Sequence, residues 1–484
     1  MDPGDDAEKR AKFLKKLRSQ RFEDAQAARK RIKENFVWFE RSDEMKYVKV
    51  LGYGGFGLVQ LWQLHHPNGA FFREVAVKGL VRSYDGNNIE VQRSEIYWTK
   101  AFSGLEHMVQ LVDLVPEAMK RLDINNVRDP GPNTYHPLPM PMGRKPDPLM
   151  VSEYSEMGTL SNLQKLVLAS KTSNQLLGPD EEPKLEYIPN RVLWSIFLCL
   201  VRGLIAMAYP PPDPEANKQS GLVIRERIPS PESAIEPRKI VHFDIDIGNR
   251  YQPLIPFLPN SSGRMLSQPT LIQIADYGLM KEWSDNWDDA QKIEAISWGK
   301  YVYKAPETED PNLARQPGVI GHYANVYQAM HELILQRSLR NNEITVEQRT
   351  VRVPSGNFWT YETYGHRMMA NPDGAIFEDY GKVDADLRSI VMACMAKQTK
   401  HRPRLEFLQQ RCEQEVAALN EEWRAWRAAN AGGHRPRPTV TRFQAMQRMQ
   451  PEPAYIAEKF YDDYFQNPME PEDEYAEYWS KPLQ

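Results

Sequence analysis

The chain has 484 residues, of which 41% are hydrophobic, enough to bury a large core and to carry additional segments. Its net charge of −4 gives no overall attraction to nucleic acid or to an anionic membrane, so neither partner is expected. The acidic N-terminus has no signal-peptide pattern and the three cysteines match no disulfide or metal motif, which predicts free thiols in an intracellular protein, cytoplasmic or nuclear.

The first predicted element is a charged helix over residues 7–40, within an N-terminal extension of residues 1–46. Phe13, Leu14 and Leu17 lie on one stripe of this helix, and lysines and arginines occupy the other faces. One interpretation is a solvated helix that packs weakly on the following domain. The other is a basic helix that binds a protein partner or an import receptor.

A glycine-rich motif follows. Residues 51–59 read LGYGGFGLV and lie between two β-rich segments, 47–50 and 59–64. This setting predicts a strand–turn–strand element, whereas the dinucleotide-binding turn would open a helix. Glycines at this spacing let backbone N–H groups approach a phosphate with no Cβ in the way.

The next strand reads VAVK and ends at Lys78, and a helical pattern follows it. Glu95 on that helix is the expected partner of the Lys78 ammonium, and Glu90 is the less favoured alternative. Residues 108–111 and 149–154 are predicted to form two further strands.

Farther along, residues 193–208 are the most apolar stretch. Ser195 and Arg202 interrupt it, so it predicts a central buried helix rather than a membrane span. Proline-rich and polar segments predict surface loops. These segments are residues 117–148, 171–187, 209–237 and 250–269.

Three polar motifs come after this helix. Residues 242–249 read HFDIDIGN, residues 276–278 read DYG after a predicted strand at 270–275, and residues 305–307 read APE. Arg402 stands in a later HRP triplet.

In this order the motifs resemble the eukaryotic protein kinase superfamily, over roughly residues 47–412. The resemblance implies an α+β, two-lobed fold with a small β-rich N-lobe at 47–153 and a larger, mostly helical C-lobe at 154–413. Residues 414–484 are then the end of a helix and an acidic-aromatic, partly disordered tail. Small-molecule phosphotransferases of the aminoglycoside-kinase type share H-x-D-x-x-x-x-N, but they do not usually carry the glycine loop, DYG or APE.

The resemblance also implies ATP and Mg²⁺ as cofactors and assigns residue roles. Asp244 is the catalytic base for the substrate hydroxyl, Asn249 and Asp276 are the metal ligands, and Arg402 pairs with Glu307. Ser152 takes the gatekeeper position. The implied nucleotide-binding residues are Leu51, Gly52, Gly54, Gly57, Val59, Ala76, Lys78, Glu95, Ser152, Glu153 and Ser155.

Four residues depart from the family pattern. Phe243 replaces the arginine that pairs with a phosphorylated activation loop, and Asp246 replaces the lysine two residues after the catalytic aspartate. Lys300 occupies the position of the threonine that, in the family, usually contacts both the catalytic aspartate and that lysine. We therefore expect Lys300 to pair with Asp246 and to restore a cation beside Asp244; the alternative is two independent losses in a decaying site. Asn325, in place of an aspartate, predicts a weaker anchor for the catalytic loop.

The resemblance thus predicts an ATP-dependent protein kinase that phosphorylates Ser or Thr of protein substrates. Because Asp246 places a negative charge in the catalytic loop, the sequence does not decide whether this kinase is active. The alternative is a nucleotide-binding pseudokinase that acts as a scaffold or allosteric partner. Residues 460–465, FYDDYF, resemble the tail element with which one kinase group covers its own nucleotide pocket, although a disordered or partner-binding tail is the alternative.

Overall fold

The computed structural model shows a mixed α+β chain that divides into two compact units. The first takes in the described residues up to Ser103 and from Val109 to Tyr154, and the second takes in Gly104–Met108 and the described residues from Ser155 onward. The described residues are 23, 26–27, 29–30, 45–53, 57–66, 69–80, 86–112, 149–178, 181–214, 216–217, 223–246, 248, 250–251, 272–300, 303–331, 346–352, 358–368, 380, 383–430, 439–446 and 452–466.

The predicted N-terminal helix falls mostly outside the described residues. The few described residues between 23 and 30 are helical. The Arg29 guanidinium lies 4.4 Å from the ring centroid of Tyr47, within the range of a cation–π contact.

A small antiparallel sheet and one helix form the core of the first unit. Their bounds are β1 (Met45–Tyr53), β2 (Leu58–His65), β3 (Phe71–Gly79), β4 (Met150–Glu153) and α1 (Gly86–Ala101). The strand order is β1-β2-β3-β4, and each neighbouring pair is antiparallel. Trp62, Val75 and Val77 are fully buried, as expected for strands rich in β-branched and aromatic residues.

The strand predicted at 108–111 is wrong. Met108 forms a single parallel bridge to Ile274 in the second unit, while Leu111 forms a single antiparallel bridge to Ser152 in the first. Because its two ends pair with different strands, the segment builds no ladder of its own.

Helices dominate the second unit. Their bounds are α2 (Leu160–Gln175), α3 (Asn190–Ala208), α4 (Asp289–Ser297), α5 (Pro306–Glu309), α6 (Pro311–Ala314), α7 (His322–His331), α8 (Ala385–Cys394), α9 (Leu405–Asn430), α10 (Arg442–Met446) and α11 (Tyr455–Tyr461), followed by a π-helical turn (Asp462–Gln466). The boundary predicted after residue 413 falls within α9.

Helix α3 is buried on all sides, which confirms the central helix predicted at 193–208. Among the described residues it is the one helix with the length and hydropathy needed to cross a membrane, and 94% of that window is buried inside the protein. All three cysteines are free, as predicted, and the structure shows that they are buried.

The second unit also contains three short antiparallel strand pairs among its described residues. They are β5 (Ile240–Val241) with β8 (Lys281–Glu282), β6 (Arg250–Tyr251) with β7 (Gln273–Ile274), and β9 (Glu347–Arg352) with β10 (Phe358–Thr363). Of the strand predicted at 270–275, residues 270 and 271 lie outside the described residues, and β7 is the part that forms within 272–275. The β9–β10 hairpin was not predicted.

Two predictions of irregular structure are wrong for the residues described. Within the loop predicted at 171–187, the first residues complete α2, and Leu185 is fully buried. The tail segment 455–466 is folded on the second unit rather than disordered: the Asp463 carboxylate accepts a hydrogen bond from Leu185 N (2.9 Å), and the Tyr464 hydroxyl lies 2.5 Å from the Ser170 hydroxyl. These long-range contacts fix a segment whose composition alone suggested a free tail.

Candidate functional site

In the first unit, a lysine ammonium is held by a buried carboxylate. Lys78 Nζ on β3 lies 2.8 Å from Glu95 Oε1 and 2.7 Å from Glu95 Oε2, which is carried by α1. The side chains are 12% and 2% exposed. Glu90 is exposed and pairs with Arg93 instead, so the predicted choice of Glu95 is confirmed. A cation fixed in this way can bind an anionic oxygen without first searching for its position.

The β1–β2 turn approaches this lysine closely. A Cβ on Gly57 would lie 3.1 Å from Lys78 Cε and 3.2 Å from Gly79 O, so a larger residue would displace the lysine stem. Leu51, Gly52 and Val59 are partly buried on the flanking strands. Gly54 lies outside the described residues.

Four more of the predicted nucleotide-binding residues lie on β3, on β4 or shortly after β4. Ala76 pairs with Ser152 across the two strands, and Ser152 is buried. The Glu153 carboxylate accepts a hydrogen bond from Gln110 N at 2.9 Å. Ser155 is buried and belongs to the second unit. The structure thus places Ala76, Ser152 and Glu153 in one sheet.

In the second unit, hydrogen bonds from the backbone and the ring hold His242 in place. Its backbone N donates to Asn325 Oδ1 (2.9 Å), its ring Nδ1 accepts from Asp244 N (3.3 Å), and its ring Nε2 lies 3.1 Å from Ala275 O. This pattern assigns the proton to Nε2. The ring therefore joins the loop that carries Asp244 to the segment that leads to Asp276.

Asn325 anchors this loop through its side chain, and that this anchor is weaker than an aspartate's stays a prediction. Its amide oxygen accepts from His242 N, and its amide nitrogen donates to Ile240 O at 2.7 Å. Asparagine supplies both a donor and an acceptor, so one side chain fixes both sides of the turn.

Lys300 lies beside the two acidic residues of the loop. Its ammonium forms an ion pair with the Asp246 carboxylate, as expected, and lies 4.0 Å from Asp244 Oδ2. Asp246 is 4% exposed, and its other oxygen accepts from Gly248 N at 2.7 Å. The Lys300 side chain is 54% exposed. The negative charge at Asp246 is therefore balanced by a cation that solvent can still reach.

Asp276 follows β7 in a left-handed backbone conformation, with φ of 63° and ψ of 61°. Such a conformation costs a non-glycine residue of order 1–3 kcal/mol, and the surrounding packing must hold it. Tyr277 supplies part of that packing: it is buried, its ring meets the His242 ring edge-on, and its hydroxyl bonds to Ile274 O. Asn249 lies outside the described residues.

The predicted pair between Glu307 and Arg402 is present. Two guanidinium nitrogens of Arg402 contact the two carboxylate oxygens of Glu307 at 2.6 and 2.7 Å, and both side chains are buried. The bidentate geometry fixes the end of the segment that carries Lys300.

Sequence reasoning missed the backbone geometry of Phe243. We expected from the sequence only the loss of an arginine at this position. In the structure Phe243 is fully buried and has φ of +64°. The aromatic residue type offered a signal for burial, but no local pattern predicts a left-handed phenylalanine.

No protein-family model matches the chain, and no curated protein matches it in sequence.

Proposed function

We propose that the protein is an ATP-dependent protein kinase that transfers the γ-phosphate to a serine or threonine of a protein substrate. In this proposal the chain has the two-lobed kinase fold, with the first unit as the N-lobe and the second as the C-lobe. The observation that carries the proposal is the Lys300–Asp246 ion pair beside Asp244. It supplies a cation where the departure at Asp246 would otherwise leave an uncompensated negative charge.

In this proposal, each unit offers groups of the kind that magnesium-bound ATP requires. Lys78, held by Glu95, is a fixed cation suited to phosphate oxygens, and Gly57 beside it puts no Cβ in the way of a main-chain N–H group. Asp276 offers a carboxylate of the kind that Mg²⁺ prefers. When bound, this cofactor supplies the phosphoryl group and much of the charge neutralisation.

Asp244 orients the acceptor hydroxyl and takes its proton late in the reaction. Lys300 offsets the charge of Asp246 and lies near Asp244. At an effective dielectric constant near 20, two unit charges about 4 Å apart interact by about 4 kcal/mol. Exposure of Lys300 reduces this energy, yet about 1.4 kcal/mol already corresponds to a factor of ten in rate.

The acceptor is assigned as serine or threonine because that is the larger class in the family the motifs resemble. The second candidate is a nucleotide-binding pseudokinase that acts as a scaffold. Phe243 and Asp246 favour it, because both replace cations that the family uses.

The test is incubation of the purified full chain with labelled ATP, Mg²⁺ and generic Ser/Thr and Tyr acceptors, beside an Asp244→Asn control. Transfer that disappears in the control supports the kinase, and the labelled residue type identifies the acceptor. Thermal stabilisation by Mg·ATP without any transfer supports the pseudokinase. Absence of both overturns the nucleotide-binding proposal.

A further inference from the structure

The backbone next to Lys300 makes an unusually close contact with the loop that carries Asp244. Gly299 has φ of +85°, and a Cβ added to it would overlap the carbonyl oxygen of Phe243 and lie 3.1 Å from its carbonyl carbon. Phe243 itself has φ of +64°. Two left-handed residues therefore meet backbone to backbone, and a side chain on Gly299 would separate them.

The side chain of Phe243 explains how its own conformation persists. A phenylalanine in the left-handed region is strained, so the surrounding structure must determine it. The ring is 1% exposed, and burial of an aromatic side chain is strongly favourable. The buried ring thus holds the Phe243 carbonyl where Gly299 meets it.

Lys300 needs such support. Its side chain is long and half exposed, and ordering a side chain of this kind in solvent costs conformational entropy. Asp246, by contrast, is buried and already fixed by Gly248 N. A backbone contact one residue before Lys300 fixes the position of the Lys300 Cα. The lysine side chain then extends from a fixed point toward this fixed carboxylate.

We infer that Gly299 and Phe243 form a backbone latch that positions Lys300 beside Asp244 for the proposed phosphoryl transfer. Gly299 and Phe243 are positioning residues that act through Lys300. The inference rests on the proposed function.

The chain offers a matched pair of substitutions. Gly318, in the same unit, also has a left-handed φ, +75°, but a Cβ there would meet nothing within 4 Å. Gly299→Ala and Gly318→Ala therefore share the conformational cost, and only Gly299→Ala adds the collision with Phe243. We expect Gly299→Ala to lower kcat by about tenfold or more with little change in KM for ATP, and Gly318→Ala to keep kcat within about twofold of wild type.

Action through Lys300 is tested by a double-mutant cycle. In a Lys300→Thr background, Gly299→Ala is expected to cause no further loss of kcat, because the group it positions is already absent. A wild-type kcat in Gly299→Ala overturns the latch, as does an equal further loss in the Lys300→Thr background.

A structural readout separates this inference from the proposed function. Hydrogen exchange of a peptide covering residues 297–304 is expected to accelerate in Gly299→Ala and to remain unchanged in Gly318→Ala. Absence of phosphoryl transfer in the wild-type protein overturns the proposed function, whereas unchanged exchange in Gly299→Ala overturns the latch.

Discussion

The two units each hold one lysine–carboxylate pair at their candidate functional residues, and the pairs are built differently. Lys78 and Glu95 are carried by a strand and a helix, and both are largely buried. Asp246 is buried on a loop, but its partner Lys300 is half exposed on a second loop. The first pair is positioned by regular structure. The second depends on local contacts, which makes it the more sensitive of the two to changes nearby.

The largest loss of activity is expected when the Lys78–Glu95 pair is broken. Lys78→Met removes a fixed cation, and we expect it to lower phosphoryl transfer by about 100-fold or more, as the loss of one preorganised electrostatic contact typically does. The measurement is kcat/KM for ATP. Lys46→Met, an exposed position on β1 of the same sheet, is the matched control and should change kcat/KM little. Wild-type kinetics in Lys78→Met would contradict the proposed role.

A smaller effect is expected for the second pair. Lys300→Thr leaves Asp246 buried without its cation, and we expect kcat to fall by about 10- to 100-fold. Solvent exposure screens the Lys300 charge, which is why the effect is smaller than that of Lys78→Met. Lys281→Thr, at an exposed position of β8, serves as the control. If kcat is unchanged in Lys300→Thr, the cation has no role in transfer.

A third ion pair, between His107 and Glu226, extends the comparison from activity to the stability of the fold. His107 Nδ1 lies 2.6 Å from Glu226 Oε2, and both side chains are buried. Burial alone would lower the pKa of His107, but the nearby Cys199 thiol and Glu226 carboxylate raise it to about 9. Glu106 lies 3.9 Å from the same nitrogen and is itself paired with Arg225.

Because the folded pKa of His107 is raised above the usual 6.5, its stabilisation is complete below pH 6.5 and is lost as pH rises through about 9. We expect Glu226→Gln to lower the free energy of unfolding by about 3 kcal/mol near pH 6, and by clearly less at pH 10. Urea unfolding of the second unit at both pH values measures this. An equal loss at both pH values would show that the ion pair is not the cause.

The smallest effect is expected for an ion pair at the surface. Arg238 and Glu282 approach within hydrogen-bonding distance, but both are more than 40% exposed. Glu282→Gln should change the free energy of unfolding by less than about 0.5 kcal/mol. A loss as large as that of Glu226→Gln would mean that burial does not determine how much an ion pair contributes to the free energy of unfolding.

The parts of the site that were predicted well are those that the motif resemblance assigned to particular residues. The choice of Glu95 over Glu90, the pairing of Lys300 with Asp246, and the contact between Glu307 and Arg402 were all expected. The four-stranded sheet and the buried α3 follow from apolar patterns that local sequence contains.

The features that sequence missed depend on contacts between distant residues. Glu226 meets His107 across 119 positions, and Tyr464 meets Ser170 across 294. Neither the folding of the tail nor the ordering of residues near Leu185 follows from composition, because each requires a partner surface elsewhere in the chain. The left-handed backbones of Phe243 and Asp276 are likewise imposed by tertiary packing.

The central claim is that Lys300 supplies the cation that the proposed catalytic loop lacks, and exchanging Lys300 with Asp246 tests it most directly. The double variant Asp246→Lys, Lys300→Thr recreates the usual family arrangement, while each single change leaves the charges unbalanced. The account predicts kcat within about threefold of wild type for the double variant and a loss of about tenfold or more for each single variant. A double variant as impaired as the sum of its single changes would contradict it.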